Sequence, residues 1–464
     1  MNRLKNSVFY QFLLRLDAAI CGAWNRSLLG RWLTCQDPKR SVFTPARQLA
    51  PFVRKLMSQT MGWVTLPSGT LSAFFAIAAL VLAPLVPSKV LAFPICLCLG
   101  FGMLLLAADR EAVLIPSPLN VHISLYAVVV FWSLLTSVDF SGSLFRGIMF
   151  VAIAMFFYGV TSSGLEWHLN KLLWLMLAVC VGVSLYGIFQ AFHPELYGDI
   201  WSDTDMFPTI TVRVYSTFGN PLFLGEYLLL LIPLICAMLI SADNWKQRIA
   251  CLIAVGIAGV CLILTYSRGC YLGLLFAAAV FLVLLDRRFL FLGIIAVALC
   301  PLYLPESVIT RFASIGNMAD SSSSYRVRIW LGSLAMLKDF GFCGVGPGYM
   351  AYNAIYPNYA LHTVSAAHSH NMFLQLLCDS GIAGLLVFLG LLVSFYRMMF
   401  TAIRHETDRR ARVMQIGCVS AVSGFMVQSQ FDYSFHEFSV TLLFFAFLGL
   451  GVLFTRMGKQ EEPA

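Results

Sequence analysis

The chain has 464 residues, of which 59% are hydrophobic and only 12% charged, against roughly 25% charged in an ordinary soluble domain. That composition excludes a soluble globule and indicates a polytopic membrane protein, because a bilayer core of about 30 Å needs about 20 apolar residues per helical span and such stretches follow one another from Leu71 onward. The formal charge of +8 is all N-terminal: residues 1–66 hold ten Lys and Arg against two Asp and Glu, and the remainder is balanced.

Taken in chain order, the basic segment 1–66 reads as a cytoplasmic or interfacial extension, since Lys and Arg are retained on that side and attracted to anionic headgroups. It carries no recognisable nucleic-acid motif, so no nucleic-acid partner is expected. Its first 30 residues lack an apolar core followed by a small-residue cleavage site, so no signal peptide is expected. Apolar stretches then fall at about 70–86, 89–108, 120–137, 144–162, 172–192, 218–240, 249–266, 270–285, 289–304, 381–399, 411–429 and 438–455. The expected fold class is therefore an all-α transmembrane helical bundle of about 12 spans, occupying 67–456 and ending in a cytoplasmic tail, 457–464. With the N-terminus inside, an even number of spans returns the C-terminus inside. The inner connections then hold Lys246 and Arg248, Asp286-Arg287-Arg288, Arg404 through Arg412, and Arg456 with Lys459, a positive-inside pattern.

The connections His193 to Thr217 and Pro305 to Asn371 fall on the opposite, extracytoplasmic side. The second is too long for a connector and too rich in Trp, Tyr and Gly for a disordered linker, so it should fold. Its helix is expected over Tyr325–Lys338, capped from Ser321–Ser324 and ended by Gly344-Val345-Gly346-Pro347-Gly348. Most of the 13 cysteines lie inside apolar runs as small hydrophobes, and none has the tight Cys/His spacing of a zinc site, so neither disulfide, metal nor other cofactor is expected.

Three positions stand out on the outer side. Arg213 lies in T-V-R-V-Y-S-T-F-G-N-P before the sixth stretch, Arg268 in T-Y-S-R-G at the turn between the seventh and eighth, and His370 in A-H-S-H-N where the large loop returns to the membrane. Two guanidiniums offer forked donors that match a diphosphate, and an imidazole titrating near neutrality can take a proton from an attacking hydroxyl. The same arginines also fit a second description, snorkelling to headgroups or pairing with Asp199, Asp203, Asp205 or Asp432. His368 and His370 are two apart, so on a helix they diverge by about 200° and would not share a metal.

Four strings, R-x-Y-S-T-F-G-N-P from Arg213, T-Y-S-R-G-x-Y-L-G from Thr265, Tyr325–Leu331 with G-V-G-P-G, and H-S-H-N-x-x-L-Q-x-x-x-D-x-G-I-x-G from His368, occur in the order of the O-antigen ligase and polymerase superfamily, which this chain resembles over roughly 213–386. The resemblance implies a metal-independent, inverting glycosyltransferase on the outer face of a bacterial plasma membrane, multi-pass with both termini cytoplasmic. It implies an undecaprenyl-diphosphate-linked glycan as donor and a glycan or glycolipid as acceptor. Arg213 and Arg268 match the family's diphosphate-binding arginines, His370 its catalytic base, and Arg328 a recurring arginine of the loop helix. The chain departs from the pattern at Leu222, where Asn is frequent, at Asp379, where Glu is commoner, and in its basic N-terminal extension. Ligases, polymerases, protein glycosylases and bicarbonate-transporter-like proteins share these strings. A transporter is thus the alternative, for which a polar path through the bilayer midplane would be needed; Glu226 is the main ionisable residue within a span.

Overall fold

The computed structural model describes scattered positions from 11 to 26 and then 68–457, apart from 109–116, 162, 167, 198–200, 202–209, 211, 300–301, 303, 315–320 and 362–363. Most of the basic extension, the last seven residues, and Asp199, Asp203 and Asp205 lie outside the described residues. Among the described residues every regular element is helical. They run α1 (Ser68–Leu82), α2 (Ser88–Ala108), α3 (Leu119–Leu135), α4 (Phe140–Val160), α5 (Leu169–Phe192), α6 (Pro221–Ile240), α7 (Trp245–Leu264), α8 (Arg268–Asp286), α9 (Phe289–Leu299), α10 (Glu306–Ala313), α11 (Ser321–Phe340), α12 (Tyr349–Ile355), α13 (Met372–His405), α14 (Arg409–Gln428) and α15 (Phe438–Phe454).

Each of the twelve apolar stretches overlaps one of these helices. Six of them, α4, α5, α6, α7, α8 and α13, are long and apolar enough to cross a membrane by length and composition. Lipid tails offer no hydrophobic incentive for helices to associate, so close packing of small residues has to do it. Helix α14 shows this: it packs between α6 and α8, and a Cβ on Gly273 of α8 would stand 2.8 Å from the Gly424 carbonyl of α14. Its other face meets α6 at Gly417, where a Cβ would lie 3.0 Å from the Pro233 carbonyl. Helix α15 is buried along its whole length, and its first residue, Phe438, packs on Phe145 and Phe150 of α4, while α3 packs on both α4 and α13.

The 305–371 connection folds, as its composition requires. Ile329 and Met336 of α11, Val345, Tyr352 and Tyr356 close a second small core with Cys378 of α13. The loop helix starts at Ser321, so the four serines form its first turn instead of preceding it. The glycine loop after α11 is pinned onto α13, with the Val345 and Gly346 N–H groups donating to the Cys378 and Asp379 carbonyls at 2.8 and 3.1 Å. Gly344, Gly346 and Gly348 all have left-handed φ and back against Asp379, Ser137 and Arg146 so closely that no Cβ fits. Across from them Gly381 (φ 63°, ψ −167°) breaks the α13 helix, and the Ile382 N–H turns to the Gly341 carbonyl.

Candidate functional site

The motif ends meet at one end of the bundle because each opens a helix with its own cap. Gly219 is left-handed, Asn220 accepts from Leu222 N at 2.9 Å and Pro221 takes the first helical position, which starts α6. Ser267 caps α8, and Asn371 caps α13 while donating to the Gln430 carbonyl at 3.0 Å. Gly269 leaves room for Gln428 at the end of α14. The H-S-H-N string continues as a brace: Gln375 accepts from Ser369 N (2.7 Å) and donates to Asp379 (2.7 Å), which also accepts from Tyr433 Oη (3.2 Å). Much of each motif therefore builds a turn, and only a few of its residues are left for chemistry.

The arginines gather on the turn between α7 and α8. Arg213 Nε donates to the Thr265 carbonyl at 3.0 Å and its Nη1 to the Trp201 carbonyl at 3.3 Å. Arg311 Nε donates to the Tyr266 carbonyl at 3.4 Å, and Arg268 Nη1 to Ser314 Oγ and O at 2.9 and 3.2 Å. Burial, with the neighbouring charges of Arg311 and Arg326, pushes Arg213 down to about 10, which leaves it cationic at neutral pH. Guanidiniums held this close by backbone carbonyls repel one another, and an anion with several oxygens relieves that repulsion. Arg326 and Arg328 sit on α11 two residues apart; Arg328 is exposed, while Arg326 is within electrostatic reach of both Arg213 and Asp432.

His370 lies beyond them. Its Nδ1 meets Asp432 Oδ1 at 3.0 Å, its backbone N–H donates to His368 Nδ1 at 3.3 Å, and its ring is 4.1 Å from that of His368. An ionised carboxylate only accepts, so Nδ1 carries the proton and Nε2 the lone pair. Burial alone would raise Asp432, but the hydrogen bond from His370 and the surrounding positive charge, that of Arg326 included, outweigh it and hold the carboxyl well below its usual range. His368 is pushed down to about 3 by burial and then by His370, so it stays neutral.

Spacing on a helix would separate His368 from His370. The structure instead gives His370 a left-handed φ of 50°, so both Nδ1 atoms turn toward Asp432, with one ligand atom of each residue within 4.8 Å of the others. Such a set suits a transition-metal ion by donor type, whereas the charges of Arg326 on Asp432 and of Arg146 on His368 oppose a cation there. Asp432, read from sequence as one possible partner for Arg213 or Arg268, is instead bonded to His370. It and the supporting Arg311 and Arg326 were not singled out by their motifs; the one available signal was a carboxylate, Asp432, just before the last apolar stretch. Glu226 of α6 is not isolated in mid-membrane: it accepts from Gln428 Nε2 (3.0 Å) and Ser434 Oγ (2.8 Å) beside the same turn.

Across described residues, the three non-glycine positions with left-handed φ are Ser216, Tyr266 and His370, one in each of the three motif turns. No curated protein matches the chain. The family model described as O-Antigen ligase matches residues 252–389, a stretch that contains Arg268, Arg311, Arg326 and His370, while Arg213 and Asp432 join it from outside through the fold. Over that stretch, a little under a third of its length, the chain is similar to the O-antigen ligase family.

Proposed function

We propose that the protein is an inverting, metal-independent glycosyltransferase of the ligase or polymerase type, acting at the outer face of the bacterial plasma membrane on an undecaprenyl-diphosphate-linked donor. The observation that carries this reading is the 3.0 Å bond between His370 Nδ1 and Asp432 beside a group of guanidiniums. His370 Nε2 removes the proton from an acceptor hydroxyl as its oxygen attacks the anomeric carbon; the bond from that carbon to the diphosphate oxygen breaks in the same displacement, which inverts the centre. Arg213 and Arg268 take the charge that develops on the leaving diphosphate, the task a metal ion performs elsewhere. Arg328 is assigned to the donor's outer rim, where its exposure leaves it able to meet the glycan.

Purified protein, lipid-linked donor and acceptor, assayed in chelator, test this. His370→Ala is expected to retain donor binding and to slow transfer by about a hundredfold or more, with His368→Ala much less affected. Undiminished transfer in His370→Ala, or transfer that stops when metal is removed, overturns the assignment. Labelling of Ser322→Cys from the cytoplasmic side alone would overturn the outer-face placement.

A further inference from the structure

On the other side of His368 a second polar group is built on α4, α12 and the turn before α15. Arg146, in the second turn of α4, lies over the rings of Tyr349 (5.4 Å) and Phe438 (5.1 Å), and its Nη1 donates to the His436 carbonyl at 2.9 Å. Among the described residues no carboxylate comes within ion-pair distance of it. The carboxylate that feels its charge, Asp379, is already bonded by Gln375 and Tyr433. The His436 ring lies against Phe223, 5.9 Å between centroids at 25°, and 4.9 Å from His368. Its Nδ1 is buried with no hydrogen-bond partner among the described residues, a costly state for a ring nitrogen. Tyr349 keeps 41% of its surface exposed.

We propose that Arg146, Tyr349 and His436 form an acceptor subsite for an acidic sugar, with the guanidinium taking the carboxylate and the aromatic rings the apolar face of the pyranose. This rests on His370 being the base. The base must touch the acceptor hydroxyl, and the donor's anionic part belongs with Arg213 and Arg268, so the acceptor occupies the remaining side. The charges separate in the same way. Arg213 responds to Arg311 and Arg326, whereas Arg146 acts on His368 and His436. Rings His370, His368 and His436 run in contact from the base to this shelf. A planar guanidinium held over aromatic rings is arranged to receive a carboxylate through two parallel bonds.

The test uses the full-length protein in detergent and two probes, methyl β-D-glucuronide and methyl β-D-glucoside, followed by saturation-transfer NMR. Wild type is expected to prefer the glucuronide by about tenfold or more. Arg146→Gln should abolish that preference, Arg268→Ala should retain it, and Tyr349→Ala should weaken both sugars. Equal binding of the two sugars by wild type, or a preference that survives Arg146→Gln, overturns the proposal. So does a preference lost in Arg268→Ala and kept in Arg146→Gln, which would assign the carboxylate to the donor arginines. Because the readout needs no turnover, its failure is separate from failure of the His370→Ala transfer test.

Discussion

The two ends of the bundle use arginine in opposite ways. At the end remote from the site, Arg248, Arg287, Arg288, Arg404, Arg409 and Arg412 are exposed, and Arg410 meets Asp243 at 3.4 Å with side-chain exposures of 39% and 68%. Such exposed pairs contribute about 0–1 kcal/mol. At the site end, Arg213, Arg268 and Arg311 donate to oxygens of turn residues and are brought together by folded chain. One set of charges is placed by water, the other by backbone geometry, and only the second can hold a ligand in a fixed pose.

The contrast breaks first at Asp432. If the site end is organised for catalysis, Asp432→Asn should slow transfer about a hundredfold while leaving donor binding intact, because the imidazole loses its orienting carboxylate. A rate within a fewfold of wild type would reduce Asp432 to packing. The arginines come next. A charge-assisted bond is worth about 1.5–3 kcal/mol, so Arg213→Ala and Arg268→Ala should each weaken donor binding by about 10- to 150-fold, and the lysine variants, which keep the charge but lose the fork, should fall between. Donor titrations giving wild-type affinity in both alanine variants would dissolve the contrast.

A smaller effect comes from pH. His436 is pushed down to about 4 by burial and then by Arg146, and His368 lies lower still. Both are below the unfolded value of about 6.5, so the unfolded chain binds more protons and acidification destabilises the fold. Their contribution is complete above about pH 6.5 and fades as pH falls toward the folded values, at up to about 1.4 kcal/mol per pH unit for each. Thermal melts from pH 7.5 to 4.5 should show Tm falling, and His368→Gln should flatten the dependence; an unchanged slope would speak against its being held neutral. The smallest effect is expected at the remote end, where Arg410→Ala should change stability by no more than about 1 kcal/mol and leave transfer unaltered. A large loss of transfer there would show that the two ends are not independent.

The helices were legible because apolar length is a strong signal, and the motif turns because Gly, Asn-Pro and Ser mark helix starts. Arg213, Arg268 and His370 stand out in sequence as candidates that reach one side of the membrane, but the groups that surround each of them do not. Those surroundings depend on the α7–α8 turn receiving Arg213 and on the turn after α14 bringing Asp432 to His370, a distance of 62 residues in sequence. Nothing in local pattern separates Arg326 from Arg328; the buried face of α11, set by Ile329, Ser333 and Met336, does so. Helical spacing does not describe His368 and His370, because the backbone turns left-handed at His370.

Ser216, Tyr266 and His370 each occupy a backbone conformation that costs of order 1–3 kcal/mol for a residue with a side chain. Neighbours enforce it: Gln190 and Val183 hold Ser216 through bonds of 2.7 and 2.6 Å, Arg311 bonds the Tyr266 carbonyl, and His368 with Asp432 fixes His370. The dipoles around the site are thus oriented when the chain folds, so under the proposed reaction little reorganisation energy would remain when charge shifts onto a leaving group. Glycine at any of the three would relax the backbone and let those dipoles wander. A more stable protein that turns over more slowly is the expected signature of an active end kept taut by its own fold.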